Sequence, residues 1–323
     1  MLVKKVMGPK RILPPLLFSP ALASHNISEA WQQVLNLVQP NGTIHENIDA
    51  SPADDLFLLY TRGNRLLGQV LKYGDVESVR SSNFSPDVPT VVVVHGWLEN
   101  RNSPINPLLR NALLRNSDVN VIILDWSRYS QKDYVTSVRG VPSVGRGLGQ
   151  FLAFLHQATG MPFDLVHLVG FSLGGHVVGN AGRQLDGQVA RITALDPAGP
   201  FWYNNHQRLR STDARYVEVI HTNAGGLGIM MVVGDTDFFP NGGNTQPGCV
   251  YDNVNNVVCS HYRSYKLFAA TVNRNRLVGR QCGGLVAFVA GFCRGQSLPM
   301  GNNDLTKSGT GVYRLDTGAT YPY

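Results

Sequence analysis

Runs of apolar residues predict strands that are buried on both faces of a sheet. These runs are Thr90 to Val94, Val119 to Leu124, Asp164 to Val169 and Arg191 to Leu195. Continuous β-branched runs of this length are typical of central parallel strands. Helical spacing separates them over Pro107 to Arg115, over Val144 to Ala158 and from Ser172 to about Gly182. Strands that alternate with helices predict a mostly parallel, doubly wound sheet within one α/β domain.

The two ends of the chain depart from this alternation. Residues Ser28 to Val38 have apolar positions at helical spacing, and Leu56 to Thr61 with Leu66 to Leu71 form a predicted β-hairpin. After a further strand at Tyr216 to His221, the chain from Asn223 onward is rich in glycine, asparagine and proline. We therefore expect it to consist largely of loops.

A candidate nucleophile follows the third of the buried strands. Gly170-Phe171-Ser172-Leu173-Gly174 has the pattern G-x-S-x-G between a strand and a helix. In a nucleophile elbow, the glycines leave space for a sharp turn that lifts the serine hydroxyl above the edge of the sheet. The pattern predicts that Ser172 is the nucleophile of an α/β-hydrolase fold.

A serine nucleophile needs a base and an acid that orients the base, in the chain order serine, acid, histidine. Asp196 directly follows the strand that ends at Leu195, and is the best-placed acid. Asp235 and Asp237 stay open as alternatives, whereas Asp213 precedes its strand and would lie at the wrong edge.

His261, which we expect in a late loop, fits best as the base. His221 ends a strand and is better explained as a hydrogen-bonded structural histidine. His206 lies in a polar loop, and His176 on the elbow helix is expected to point away from the serine.

Two backbone N–H groups are needed to stabilise the oxyanion of a tetrahedral intermediate. The residue after the nucleophile, Leu173, supplies one of them. The other is expected from the loop that follows the first buried strand, His95-Gly96-Trp97, and we assign it to Trp97.

The charge and the N-terminal segment indicate where this chemistry takes place. The net charge is +6, from 28 basic and 22 acidic residues, and it is spread along the chain, which argues against a nucleic-acid-binding stripe. Residues 1–23 combine a basic start with an apolar run and an Ala-Leu-Ala site, and are predicted to be a signal peptide before a single domain at 24–323. The predicted location is therefore secreted and extracellular.

The cysteines agree with an oxidising compartment. Four cysteines in two closely spaced pairs suit two disulfides, although the spacing itself leaves three pairings open. No C-x-x-C metal motif occurs. Glycosylation sequons are present at Asn26, Asn41 and Asn83.

Four motifs together resemble the pancreatic lipase family. They are Gly170 to His176, Leu195 to Pro200, Asp237 to Gly243 and Cys259 to Tyr265. The resemblance extends from about Thr90 to the end of the chain. It implies an α/β-hydrolase fold and ester hydrolysis on lipids, with a triad of Ser172, Asp196 and His261 and oxyanion donors at Trp97 and Leu173. It also implies the disulfides Cys249–Cys259 and Cys282–Cys293, and favours Asp196 over Asp235 and Asp237.

Departures from the pancreatic enzymes refine this expectation. The C-terminal β-sandwich that binds colipase is not expected, so colipase is not an expected partner. The segment equivalent to the lid, Val250 to Val258, has nine residues, and the loop Asn223 to Thr236 is also short. Both loops are long in triacylglycerol lipases and short in insect and venom phospholipases A1.

The segment that holds calcium in the family also differs. Asn205 and Arg210 stand where acids are expected, and Asp213 keeps its carboxylate. Because calcium prefers several carboxylate oxygens, we expect no metal or cofactor, with Arg210 pairing to Asp213 in place of the ion.

The sequence therefore predicts a secreted lipid carboxylester hydrolase of phospholipase A1 type, acting at the sn-1 ester at a membrane, micelle or lipid-droplet surface. A neutral acylglycerol lipase is the alternative. A lipid-binding protein like the insect yolk proteins is disfavoured because all three triad residues are present.

Overall fold

The computed structural model describes residues 29–34, 51–249 and 254–323 of the chain. The predicted signal peptide and the sequons at Asn26 and Asn41 lie outside these ranges, whereas Asn83 is exposed on the surface. No helix in the described ranges is both long enough and apolar enough to span a bilayer.

One mixed sheet of eleven strands forms the centre of the described residues, in the order β10-β9-β11-β8-β7-β6-β5-β3-β4-β1-β2. The strands are β1 (Leu56–Tyr60), β2 (Gln69–Leu71), β3 (Thr90–Val94), β4 (Asn120–Asp125), β5 (Val166–Phe171), β6 (Arg191–Leu195), β7 (Val217–Ile220), β8 (Thr236–Pro240), β9 (Val278–Gln281), β10 (Ser297–Pro299) and β11 (Gly311–Leu315). Strands β4, β3, β5, β6, β7, β8 and β11 are parallel, and an antiparallel pair flanks them at each edge.

Helices cover both faces of this sheet. They are α1 (29–34), α2 (Val76–Arg80), α3 (Ile105–Asn116), α4 (Ser127–Ser130), α5 (Tyr134–Thr159), α6 (Leu173–Gln184), α7 (Val254–Arg274) and α8 (Leu285–Val289), with 3₁₀ turns at Pro52–Asp54, Phe163–Leu165 and Ser211–Asp213. Helices α5 and α6 pack on one face, and α3 and α7 pack on the other. This is the predicted α/β-hydrolase architecture.

The alternation of side chains along the strands separates the two layers of core. Val92 and Val94 of β3 face α5 and α6, while Val91 and Val93 face α3 and α7. All four are fully buried, as the continuous apolar run predicts for a central strand. Helices α5 and α6 approach closely because Gly145 has no side chain. A Cβ at this position would lie 2.4 Å from Asn180 Cβ.

Helix α5 begins ten residues earlier than the sequence pattern predicts. Asp133 caps it by accepting a hydrogen bond from the N–H of Thr136 at 3.0 Å, and Gly160 ends it with a φ of 78°. Pro142 lies inside the helix, so the prediction of a start after this proline was wrong. The cap at Asp133 fixes the start, and the helix accommodates the proline.

The prediction of a loop-rich C-terminal third missed one long helix and the strands that extend the sheet. Residues Val254–Arg274 form a helix of 21 residues, and β8 and β11 pair in parallel as core strands of the sheet. Tyr265, Phe268 and Ala269 recur at helical spacing and pack into the layer beside α3. This spacing holds α7 on the sheet despite the many polar residues in its first half.

Candidate active site

Ser172 occupies the turn between β5 and α6, as the motif predicts. Its backbone has φ 56° and ψ −121°, and its N–H donates to Leu195 O at 3.1 Å. A Cβ at Gly170 would lie 2.2 Å from Gly174 O, and one at Gly174 would lie 2.4 Å from Val94 O. The motif glycines are therefore required because backbone from the neighbouring segments fills the space beside them.

Asp196 follows β6 on the adjacent strand and is held in a fixed orientation. Its N–H donates to Ile220 O at 2.8 Å. One carboxylate oxygen, Oδ1, accepts from the N–H groups of Thr222 at 2.8 Å and Asn223 at 3.0 Å. The other, Oδ2, lies 2.6 Å from Nδ1 of His261. These three donors fix the orientation of the carboxylate toward His261.

His261 lies in helix α7, not in the late loop that we expected. The helix passes over the end of β5, and the His261 ring lies 4.6 Å from the ring of Phe171, the residue before Ser172. With Nδ1–H donated to Asp196, the imidazole presents Nε2 as an acceptor. A helix provides a more rigid position for this ring than a loop would.

The serine and the histidine each keep one unsatisfied polar atom. Ser172 Oγ and His261 Nε2 are both buried, and neither has a hydrogen-bond partner among the residues that the structure describes. Buried polar groups are otherwise almost always paired. These two atoms are the ones that a serine–histidine proton transfer would use.

The rival acids have other partners. Asp237 accepts from His221 Nε2 at 2.7 Å and from the N–H groups of Val233 and Gly234. Asp235 accepts from the N–H of Val217 at 2.8 Å. His221 also contacts Ile229 O through Nδ1 at 2.9 Å, so it is a structural histidine as predicted.

The loop after β3 lies directly against the serine. A Cβ at Gly96 would lie 2.9 Å from Ser172 Cβ. Within the described part of the chain, no group accepts a hydrogen bond from the backbone N–H of Trp97 or of Leu173. Both N–H groups therefore have no acceptor within the described residues.

Sequence reasoning missed the residue that anchors this loop. Glu99 is buried, and its Oε2 accepts from the N–H of Gly96 at 2.8 Å, while Ser130 Oγ donates to its backbone carbonyl at 2.8 Å. Burial raises the pKa of the Glu99 carboxyl, and the nearby His95 acts in the opposite direction. No periodic signal marks an acid three residues after a glycine in an irregular loop.

Trp31 of helix α1 is a second neighbour that the sequence did not reveal. Its ring makes an edge contact with His261 at 5.8 Å between centroids and with Trp97 at 4.7 Å. Ser172 and His261 are fully buried, and Trp31 is 2% exposed. Helix α1 therefore packs against the histidine from the side of its ring.

The predicted pairing of Arg210 with Asp213 was wrong. Arg183 of α6 makes this ion pair, with Nε 3.1 Å from Oδ1 and Nη2 2.9 Å from Oδ2 of Asp213. The same guanidinium donates to Gln207 Oε1 and Arg208 O. Arg210 gives only its backbone N–H to Asp213, and its side chain donates to His206 O.

In the described residues, no group of three or more histidine, cysteine or acidic side chains is arranged to hold a metal ion.

The candidate lid is only partly within the described residues. Residues 250–253 of the predicted segment Val250 to Val258 lie outside them, and 254–258 form the first turn of α7. The structure contains the disulfides Cys249–Cys259 and Cys282–Cys293, the pairing expected from the family resemblance.

A family model and several known proteins are similar to this chain. The family model described as Lipase matches residues 26–322. The chain is 38% identical over 245 residues to phospholipase A1 member A of Rattus norvegicus, covering 73% of this chain and 53% of that protein.

It is also similar to the pancreatic enzymes. It is 33% identical over 282 residues to pancreatic triacylglycerol lipase of Mus musculus, covering 78% of this chain and 60% of that protein. It is 35% identical over 271 residues to pancreatic lipase-related protein 2 of Bos taurus, covering 77% and 57%. The chain thus spans between half and two thirds of the length of these relatives.

Proposed function

Because the chain belongs to the lipase family, we propose that it is a secreted serine carboxylester hydrolase of lipids, with Ser172, His261 and Asp196 as its triad. The contact between His261 Nδ1 and Asp196 Oδ2 at 2.6 Å carries this proposal. It orients the free Nε2 of the histidine, and the strained turn carries Ser172, whose buried Oγ also has no partner in the described residues.

The chemical steps follow from this geometry. Ser172 Oγ attacks the ester carbonyl carbon while His261 Nε2 takes its proton, and the N–H groups of Leu173 and Trp97 bind the oxyanion. His261 then protonates the leaving glycerol oxygen, and the C–O bond breaks to leave an acyl-serine. Water, deprotonated by the same histidine, releases the fatty acid and restores Ser172.

We assign phospholipids as the preferred substrate, cleaved at the sn-1 ester. The loop between β7 and β8 buries Leu227 and Ile229 but leaves Met230 and Val232 exposed, so it forms one apolar wall rather than an enclosed rim. Similarity to phospholipase A1 member A favours the same substrate. Similarity to pancreatic triacylglycerol lipase favours acylglycerols as the second candidate.

The decisive test combines labelling with a substrate panel. We expect an organophosphate to label Ser172 in the purified chain and Ser172→Ala to lose about 10⁴–10⁶-fold in rate with its fold intact. Phosphatidylcholine with distinguishable acyl chains should lose the sn-1 acid faster than triacylglycerol is cleaved. Faster cleavage of triacylglycerol would replace the phospholipase assignment, and turnover by folded Ser172→Ala would reject the triad.

A further inference from the structure

A group of large apolar side chains is exposed on one side of the molecule. Helix α8, the residues that follow it and the β7–β8 loop supply them, with Leu285 75%, Val286 85% and Val289 71% exposed. The members of this surface, which we name the apolar flank, are Met230, Val232, Leu285, Val286, Val289 and Phe292. Exposed patches of this kind mark interaction surfaces in soluble proteins.

The flank rests on a fixed scaffold. The disulfide Cys282–Cys293 closes the loop that carries α8. Phe288 packs edge-on against Phe239 of β8 at 5.0 Å, and Arg314 Nη1 donates to the carbonyl of Phe288 at 2.9 Å. The apolar side chains are therefore presented in one arrangement, which reduces the entropy lost when a partner binds.

The charges around the flank indicate the chemistry of that partner. From Arg274 to Asn303 the sequence contains four arginines and no acidic residue. Arg280 and Arg294 are exposed, neither forms an ion pair with a described carboxylate, and the Arg294 guanidinium lies 5.9 Å from the ring of Phe292. An apolar centre with a cationic border matches an anionic phospholipid surface. A second copy of the chain would bring the same cations together.

The flank is continuous with the candidate active site. A Cβ at Gly228 would lie 2.4 Å from Asp196 Oδ1, and the N–H of Ile229 donates to Pro197 O at 2.8 Å. The next residue, Met230, lines a groove of about 630 Å³ together with Leu285 and Phe288. One loop thus connects the acid of the triad with the exposed apolar side chains.

We propose that the apolar flank is a docking surface for anionic phospholipid bilayers. Its side chains enter the acyl boundary, Arg280 and Arg294 bind lipid phosphates, and the loop at Met230 holds the active site near the bilayer. The role in catalysis rests on the proposed lipid hydrolysis, whereas the binding itself does not.

The test measures vesicle binding by the full-length chain carrying Ser172→Ala, which removes lipid turnover. The probes are vesicles of phosphatidylcholine with phosphatidylglycerol and vesicles of phosphatidylcholine only. We expect Val286→Ser with Phe292→Ser to weaken binding by about tenfold or more. The matched control, Leu66→Ser with Leu67→Ser, removes leucines that are 82% and 81% exposed at the β1–β2 hairpin, and should bind as the parent does.

A charge variant provides the second measurement. Arg280→Gln with Arg294→Gln should weaken binding to the anionic vesicles by about tenfold and leave binding to phosphatidylcholine unchanged. Equal losses for the flank and hairpin variants, or none for either, would overturn the proposal. A parent dimer that the flank variant converts to a monomer would identify a second copy as the occupant and overturn it as well.

Hydrolysis of a soluble short-chain ester by the chain with Ser172 intact separates the two proposals. Flank variants should keep this rate. Loss of vesicle binding with the rate retained supports the docking surface. A chain that binds vesicles through the flank but cleaves no ester retains the docking surface and rejects the proposed function.

Discussion

Ser172 and Asp196 both have positive φ angles, 56° and 45°, which are costly for residues with side chains. The sheet enforces both conformations, because the N–H of Ser172 donates to Leu195 O and that of Asp196 donates to Ile220 O. Strain at two facing positions of neighbouring strands is typical of a site selected for geometry rather than for stability.

Asp196 and Asp237 provide a matched comparison at this scale, because each accepts from one histidine and two backbone N–H groups. We expect Asp196→Asn to reduce kcat/KM on a lipid ester by about 10⁴-fold, because the histidine loses its orienting carboxylate. Asp237→Asn should keep the rate within about tenfold and mainly lower the melting temperature. A larger rate loss for Asp237→Asn, with the protein folded, would show that the wrong acid was chosen.

Helix α1 contributes an aromatic neighbour to the site. Its Trp31 packs against the His261 ring, and Ser172 and His261 have no exposed surface. A substrate must therefore displace part of the surrounding structure. In the described part of α1, Trp31 is the aromatic residue that contacts the His261 ring.

We expect Trp31→Ala to raise kcat/KM for a soluble short-chain ester by several-fold, up to about tenfold, because the covered state loses its main contact. The same change should lower thermal stability, since a buried tryptophan is removed. Val34→Ala is the control, because Val34 is buried in the same helix. An equal rise for both variants would mean that loosening of α1, not the contact with His261, controls access.

Arg183 of helix α6 forms the ion pair that links this helix to the 205–213 loop. Arg183→Met should lower the free energy of unfolding by about 3 kcal/mol, because it leaves the buried Asp213 carboxylate unpaired. Arg210→Met should change it by less than about 0.5 kcal/mol, since its side chain contacts a carbonyl at the surface. Chemical denaturation measures both.

The same arrangement predicts the response to chelators. With Arg183 already paired to Asp213, we expect EDTA to leave both the activity and the melting temperature of the parent unchanged. Calcium that stabilised the parent, or that restored the Arg183→Met variant, would contradict the assignment of the guanidinium as the cation of this loop.

For the whole molecule, the sequence predicted what depends on local patterns. Strand β6 was predicted with its observed bounds. The glycines around Ser172 predicted the turn because a side chain at either position would collide with neighbouring backbone. The placement of His261 in α7 could not be predicted in the same way. Its helix combines buried polar residues with apolar ones, and its position depends on contacts with segments about ninety residues away in sequence.

The edge of the sheet was missed for the same reason. Strand β11 pairs with β8 in parallel, across a separation in which the chain also forms α7 and two short antiparallel strands. Short strands that contain glycine and arginine lack a clear alternation of apolar and polar residues. Their stability therefore depends on hydrogen bonding to the neighbouring strand. The predicted ion-pair partner of Asp213 was wrong, because the choice between Arg183 and Arg210 depends on which helix packs against the loop.

Buried histidines couple the stability of the whole molecule to pH. His176 of α6 stacks on Trp202, its Nε2 contacts Ala198 O at 2.8 Å, and its Nδ1 accepts from the N–H of Leu209 at 3.1 Å. Burial lowers the pKa of His176 to about 3. These contacts require the neutral ring, so protonation favours the unfolded chain.

The sign of the pH effect follows from this shift. In the unfolded chain a histidine has a pKa of about 6.5, so this chain takes up a proton that the folded state resists, and stability falls as pH drops from about 6.5 toward 3. We expect His176 to contribute a loss of about 2 kcal/mol between pH 7 and pH 5. His176→Gln, which keeps a donor and an acceptor, should reduce the loss of unfolding free energy between pH 7 and pH 5 by that amount, and so flatten its slope against pH. An unchanged slope in the folded variant would show that His176 is already protonated or exposed in solution.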